Sequence, residues 1–115
     1  MKSEANNQSL LIFDNSALDE AEWQQGASGR QIRIIEFYRR DNVRAGIWEG
    51  ETGPFAIKSH PYDEYCTITA GELLVTDANG NEQVFGPGDS FALPKGFVGV
   101  WDVRKRLRKN YFISE

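Results

Sequence analysis

Lys58, the only histidine (His60), Glu64 and the only cysteine (Cys66) fall within nine residues, inside the stretch K-S-H-P-Y-D-E-Y-C-T-I-T-A-G that ends at Gly71. With a strand period of two, Lys58 and His60 share one face, Pro61 interrupts the ladder, and Glu64, Cys66, Ile68 and Ala70 share one face of the next strand. Four reactive side chains can thereby converge. An imidazole at such a point can shuttle a proton. A thiol beside it can become a nucleophile, although a free cysteine more commonly just packs. A carboxylate facing inward requires a partner, because a buried unpaired charge is costly. Lys58 is the expected partner of Glu64.

The elements that must position these groups read as short strands. Eleven glycines, four prolines and fourteen aromatic residues among Val/Ile/Phe-rich runs in a 115-residue chain point to a single all-β domain. Residues 1–9 read as a polar, disordered tail and residues 10–115 as the folded domain. Leu10 to Phe13 reads as a short strand, Ala17 to Gln25 as a short helix or a turn-rich loop, and Trp23 as a plug at one end of the core. Residues 31–39 and 43–49 flank the turn Arg40-Asp41-Asn42 as an antiparallel pair. A strand resumes at Phe55, and D-A-N-G-N at residues 77–81 closes a hairpin between two further strands. Strands then end at Leu93 and Val103 around the break Pro94-Lys95-Gly96, and residues 106–113 close the chain.

Composition narrows the partners. A net charge of −4 gives no reason to expect nucleic acid or an anionic membrane. The run Arg104 to Lys109 holds five of the thirteen basic residues. It reads as the solvated face of a late, possible edge strand, without the aromatic platforms that single-stranded nucleic acid would need. No window approaches a membrane span, the N-terminus lacks the apolar core of a signal peptide, and one cysteine forms no internal disulfide. A cytoplasmic protein is the expectation.

Two spacings carry a resemblance. Lys58-x-His60-x(3)-Glu64-x(6)-Gly71 and Gly88-x(5)-Pro94-x-Gly96 resemble the two motifs of the cupin superfamily, with Lys58 at the first histidine position and Gly99 and Val103 where the second motif carries His and Asn. The wording W-E-G at 48–50, D-E-Y-C at 63–66, F-G-P-G-D-S-F at 85–91, L-P-K-G-F at 93–97 and G-V-W at 99–101 is similar to small cupins related to the cupin domain of ureidoglycine aminohydrolase. The resemblance implies a cupin jelly-roll β-barrel. It places His60 and Glu64 at a metal-ligand pair, and Trp101, sharing the parity of Gly99, in the pocket with Trp48 as a further contributor.

Three functions follow as expectations. The first is binding of a small polar or anionic metabolite by Lys58, His60, Glu64, Cys66, Trp101 and Trp48. The second is an aminohydrolase-like enzyme acting on a ureido, amide or amine group, with His60 and Glu64 catalytic. The third is a structural interaction module built as a homodimer, the expected oligomer in each case because exposed terminal strands leave sheet edges to hide. No cofactor is expected, since a catalytic zinc takes three protein ligands and the non-haem iron triad two histidines and a carboxylate. A divalent metal on His60 and Glu64, with Cys66 recruited, is the lesser alternative.

Overall fold

The computed structural model describes residues 10–26 and 29–115; the tail read at residues 1–9 lies outside the described residues. A 3-10 helix, Asn15–Glu20, precedes eight strands: β1 (Gln24–Gln25), β2 (Gln31–Arg40), β3 (Val43–Gly50), β4 (Gly53–Ile57), β5 (Asp63–Asp77), β6 (Glu82–Phe85), β7 (Ser90–Leu93) and β8 (Gly99–Ser114). All pair antiparallel in one sheet of order β1-β2-β3-β8-β5-β6, with β4 added to β8 and β7 to β5. This is the expected all-β cupin jelly roll.

Two long strands make the barrel. The first half of β5 pairs with β7 and the end of β8, while its second half pairs with β6 and the start of β8. β8 likewise exchanges β4 for β3 along its length. The β5–β8 register shifts repeatedly between Ile68 and Leu73, and those irregularities fold one sheet into two facing layers. Gly71 sits at the fold with φ +96°, where a Cβ would lie 2.1 Å from the Arg106 carbonyl oxygen. Between the layers Ile68, Leu73, Leu93, Trp101, Val103 and Leu107 form the core.

The DANGN hairpin forms as read, with Gly80 at φ +85° and the Asp77 carboxylate accepting from the backbone N–H groups of Asn79 and Asn81. The 31–39/43–49 pair also forms, with a bulge between Glu36 and Tyr38. Before Gln31 the expectations fail. Leu10 to Phe13 is not a strand, and Leu10 and Ile12 are exposed, because β1 pairs with the start of β2 and no ladder reaches them. The helix starts earlier and is shorter than read. Asp14 caps it by accepting from the Ser16 backbone N–H, and Ala21 is already extended.

This segment roofs the outer face of the sheet rather than the core. Leu18 and Ile47 are fully buried there, and Glu49 is held by Arg33 at 2.7 Å and Arg108 at 3.2 Å. Trp23, read as a core plug, is instead partly exposed, with the Arg33 and Arg106 guanidiniums 4.3 and 5.3 Å from its ring. Of the basic run, Arg108 and Lys109 lie between β3 and β5, whereas Arg104, Lys105 and Arg106 have no partner on β3 or β4 and are exposed, as read for a solvated face.

Gly71→Ala should cost about 3 kcal/mol or more, since it combines left-handed backbone with a carbonyl clash, whereas Gly80→Ala, with open space around its Cβ, should cost about 1–2 kcal/mol. Urea denaturation of the two variants checks the order; equal costs would remove Gly71 as the hinge of the barrel.

Candidate functional site

Strand parity builds the site from three neighbours. In β5 Glu64, Cys66 and Ile68 face inward; in β8 Leu107, Lys109, Tyr111 and Ile113 do; and in β3 Trp48 stands beside Lys109 in register. His60 precedes β5 in a loop fixed by two backbone hydrogen bonds, its N–H to the Phe97 carbonyl at 2.9 Å and its carbonyl from the Gly96 N–H at 2.7 Å. That Pro94-Lys95-Gly96 turn thus sets the histidine's position.

The side chains form one chain of contacts. Glu64 Oε1 lies 2.9 Å from His60 Nε2, and Glu64 Oε2 accepts from Lys109 Nζ at 2.8 Å and from Cys66 Sγ at 3.3 Å. The Lys109 ammonium sits between two indoles, 4.8 Å from the Trp48 ring centroid and 4.7 Å from that of Trp101, within reach of the cation–π attraction of both. Glu64 and Lys109 are each only 6% exposed, so the pair operates in a low-dielectric interior. Tyr62 meets His60 edge to face at 5.0 Å.

Burial alone would raise the Glu64 carboxyl; the Lys109 charge and the hydrogen bonds from His60, Lys109 and Cys66 reverse this and hold it at about 2. Burial, against the opposing Lys109 charge and with the help of Glu64, pushes the Cys66 thiol up to about 12. For Lys109 burial acts downward, but Cys66 and the Glu64 carboxylate beside it win and hold the ammonium's pKa well above its ordinary value. Tyr111 is raised to about 12 by burial and by Glu36. At neutral pH the site therefore holds a fixed carboxylate, a fixed ammonium and an un-ionised thiol. Because the carboxylate only accepts, His60 Nε2 carries the proton and Nδ1 is left without a protein partner among the described residues.

A cavity of about 460 Å³ opens onto these groups, lined by His60, Glu64, Lys109, Trp48 and Trp101, and farther along by Phe55, Ile32 and Arg30. Five expected residues, Lys58, His60, Glu64, Trp101 and Trp48, line it. Cys66 touches Glu64 but packs in the core behind it. Lys58 is corrected. Strand β4 ends at Ile57, the two residues after it form a bend, and Lys58 is an exposed residue of the cavity rim that makes no ion pair with Glu64. Lys109 takes that place. The alternation Leu107, Lys109, Tyr111, Ile113 was the signal for it, with Arg108, Asn110 and Phe112 on the opposite face. Arg30, Tyr62 and Tyr111 are also site residues that strand reading did not single out.

The donor set does not suit the metal that the cupin motifs imply. The ammonium already occupies one Glu64 oxygen and would repel a divalent cation beside it, Gly99 offers no ligand, and among the described residues no three His, Cys, Asp or Glu side chains group as ligands.

Barrel, motif positions and inward-facing His60 and Glu64 together define a cupin. Residues 38–111 match the model of the EutQ-like cupin domain, and the chain belongs to that family. Among solved structures it is similar to an ethanolamine utilization protein described as EutQ from Salmonella typhimurium LT2, at 21% identity, TM-score 0.68 and coverage of 82% of this chain and 77% of that one. The Clostridium difficile EutQ protein aligns at 16% identity and TM-score 0.66 over 97% and 85%. A DUF861 family protein of Thermotoga maritima is 35% identical with TM-score 0.53, over 56% of this chain and 73% of its own. No curated protein matches the chain.

The Glu64 and Lys109 charges give opposite pH signatures. In the wild type, Glu64 has a folded pKa near 2 against an ordinary 4.5, so its contribution, about 3 kcal/mol, is present above pH 4.5 and lost as pH falls toward 2. Lys109→Met should cost about 3–5 kcal/mol at pH 7. Its Glu64 then titrates above the unfolded value, so stability should partly recover as pH falls toward 4.5. Lys58→Met should change stability by less than about 0.5 kcal/mol. Denaturant melts of both variants from pH 3 to 8 check this; a Lys109→Met protein as stable as wild type would break the pairing.

Proposed function

We propose that the cavity binds a small polar or anionic metabolite without a metal, and that the protein acts as a carrier or sensor rather than as a catalyst. The observation that carries this reading is the fixed protonation of the floor. Glu64 stays ionised, Lys109 stays charged and Cys66 stays a thiol across neutral pH, so none of the three suits proton transfer, imine formation or nucleophilic attack there. What they do well is hold His60, Trp48 and Trp101 in place. A ligand then meets His60 Nδ1 as a polar contact and the two indoles as apolar walls, an arrangement ordered before binding.

A second reading has one specific observation in its favour, the 2.9 Å His60–Glu64 contact. A carboxylate that orients an imidazole is the partner a general base needs, and this supports the ureidoglycine aminohydrolase-like alternative in which His60 activates water against a ureido, amide or amine carbon.

A thermal-shift screen over organic acids, amines and ureido compounds separates the two. We expect stabilisation by at least one compound, about 2.7 kcal/mol at a hundredfold excess over Kd, lost in a folded His60→Ala variant. We also expect far less than stoichiometric zinc, iron, manganese or nickel in protein purified without chelator. Ammonia released from a ureido or amide compound in a His60-dependent manner would replace the binding reading with the enzymatic one, as would stoichiometric metal lost on His60→Ala.

The same reading includes a homodimer. Tyr65 and Phe112 pair across β5 and β8 on the outer face and stand 54% and 49% exposed beside Ala92, an apolar ridge that a second copy would cover. Light scattering at tens of micromolar should give a dimer mass that Phe112→Asp reduces to the monomer; a monomeric wild type removes the dimer.

A further inference from the structure

Away from His60, two residues that line the cavity carry buried donor atoms that nothing accepts. Arg30 donates from Nη2 to the Glu51 carbonyl at 2.8 Å and lies over Phe55, with Cζ 4.1 Å from the ring centroid. Its Nε and Nη1 are buried and have no hydrogen-bond partner among the described residues. The Glu51 carboxylate is spent elsewhere, accepting from the Gln31 N–H at 2.8 Å. Trp101, 3% exposed, is in the same condition, its indole N–H buried without an acceptor. The two residues are not remote from one another. Phe55 stacks under Arg30 and meets Trp101 at 6.1 Å between centroids, and all three line the one cavity.

Buried polar groups in folded proteins are nearly always paired, so two orphan donors on one wall call for an acceptor from outside. Both are donors only, and one is a cation. Burial draws the guanidinium below its ordinary value, with the Glu51 charge opposing, which reflects a positive charge that lacks full compensation. The Lys109 ammonium is excluded as the anion's seat because Glu64 already neutralises it. An apolar body has its place too, since Phe55, Trp48 and Trp101 border the space between this wall and His60.

We propose that Arg30 and Trp101 form an oxyanion-binding subsite, and that the cavity's ligand is a small organic acid whose carboxylate bonds the Arg30 guanidinium and the Trp101 indole N–H while a flat apolar body packs on Phe55. The proposal rests on the binding reading above and deepens it by naming the ligand class. Carboxylate and phosphate share this chemistry, and the cavity favours the smaller, singly charged group because only one uncompensated guanidinium meets it.

Three probes of similar shape test it: phenylacetate, phenyl phosphate and the neutral phenylacetamide, titrated into the full chain by calorimetry and by nitrogen-15 NMR. Phenylacetate should bind at least tenfold more tightly than phenylacetamide. It should also move the Trp101 indole N–H signal, assigned by its loss in Trp101→Phe, and the Arg30 Nε–H signal, assigned by its loss in Arg30→Lys. Arg30→Gln should abolish the tenfold preference and leave phenylacetamide binding unchanged. Where Arg30→Gln does not fold, Arg30→Lys, which keeps the charge but loses the planar fork, should weaken phenylacetate selectively. Tighter binding of phenyl phosphate with the same Arg30 dependence would overturn the carboxylate in favour of a phosphate ester. Equal binding of acid and amide, unmoved by Arg30→Gln, would overturn the subsite while leaving the cavity a binding site. If none of the three probes binds and the wider screen finds a His60-dependent ligand that is not an acid, the subsite falls alone; if that screen is also empty, both readings fall.

Discussion

One buried ion pair constrains most of this molecule. Removing a carboxylate and an ammonium from water costs several kcal/mol per ion, and their mutual attraction offsets this only with close geometry and with the remaining lone pairs and protons satisfied. Both Glu64 oxygens are engaged, one by His60 and the other by Lys109 and Cys66, and Lys109 is enclosed by two indoles. That arrangement requires β3, β8 and β5 to lie side by side in one register, because Trp48 faces Lys109 across one ladder while Glu64 is reached across the other. A slip of one residue in β8 would turn Lys109 to the outside and bring Arg108 inside. Compared with a well-packed apolar replacement the pair stabilises little, but it penalises every other register heavily.

The same pair decides what chemistry the cavity can carry. Its charges are balanced internally, so an incoming ligand need not supply a counter-ion to Glu64. Lys109 puts positive charge next to the carboxylate that the cupin motif would give to a metal, and the two states compete for one Glu64 oxygen. Positive charge that is only partly compensated lies instead on Arg30, whose Nε and Nη1 have no hydrogen-bond partner among the described residues. The electrostatics of the cavity are thus asymmetric: paired and prearranged at Glu64 and Lys109, with buried donors left unsatisfied on Arg30 and Trp101.

Local signals made the fold legible. Asp77 to Asn81 encodes its hairpin through one side chain and one glycine, and the 31–39/43–49 alternation needs no distant partner to be read. His60 and Glu64 were equally legible, since the spacing of the motif fixes both. The Lys58–Glu64 pairing failed because a period of two holds only while the strand lasts, and β4 stops at Ile57, which leaves Lys58 at the cavity rim. Lys109 was hidden by its neighbours. A run of basic residues reads as solvated unless the register of the whole strand is known, and that register is set by β3 and β5, sixty and forty residues away. Arg30 had no signal at all, because what marks it is the lack of an acceptor, and the acceptors near it become known only from the folded chain.

The basic run also shows why its residue types alternate as they do. Arg108 and Lys109 are adjacent on β8 and so point to opposite faces, where each neutralises a buried glutamate: Arg108 meets Glu49 on the outside and Lys109 meets Glu64 within. On the outer face several acceptors converge, since Arg108 also donates to Asp19 and to the Asn15 carbonyl of the 3-10 helix, and a planar guanidinium with several donors can bridge them and so fasten the N-terminal segment onto the sheet. Inside, there is one carboxylate oxygen and a narrow slot between two indoles, which suits a compact ammonium on a slender stem. Exchanging the two types would leave an ammonium bridging too few groups outside and a guanidinium too wide for the slot within. Arg108 and Lys109, set in a run that looks like surface charge, are therefore bound to buried glutamates while Arg104, Lys105 and Arg106 stay exposed, and the strand that carries them holds roof, sheet and cavity floor in one register.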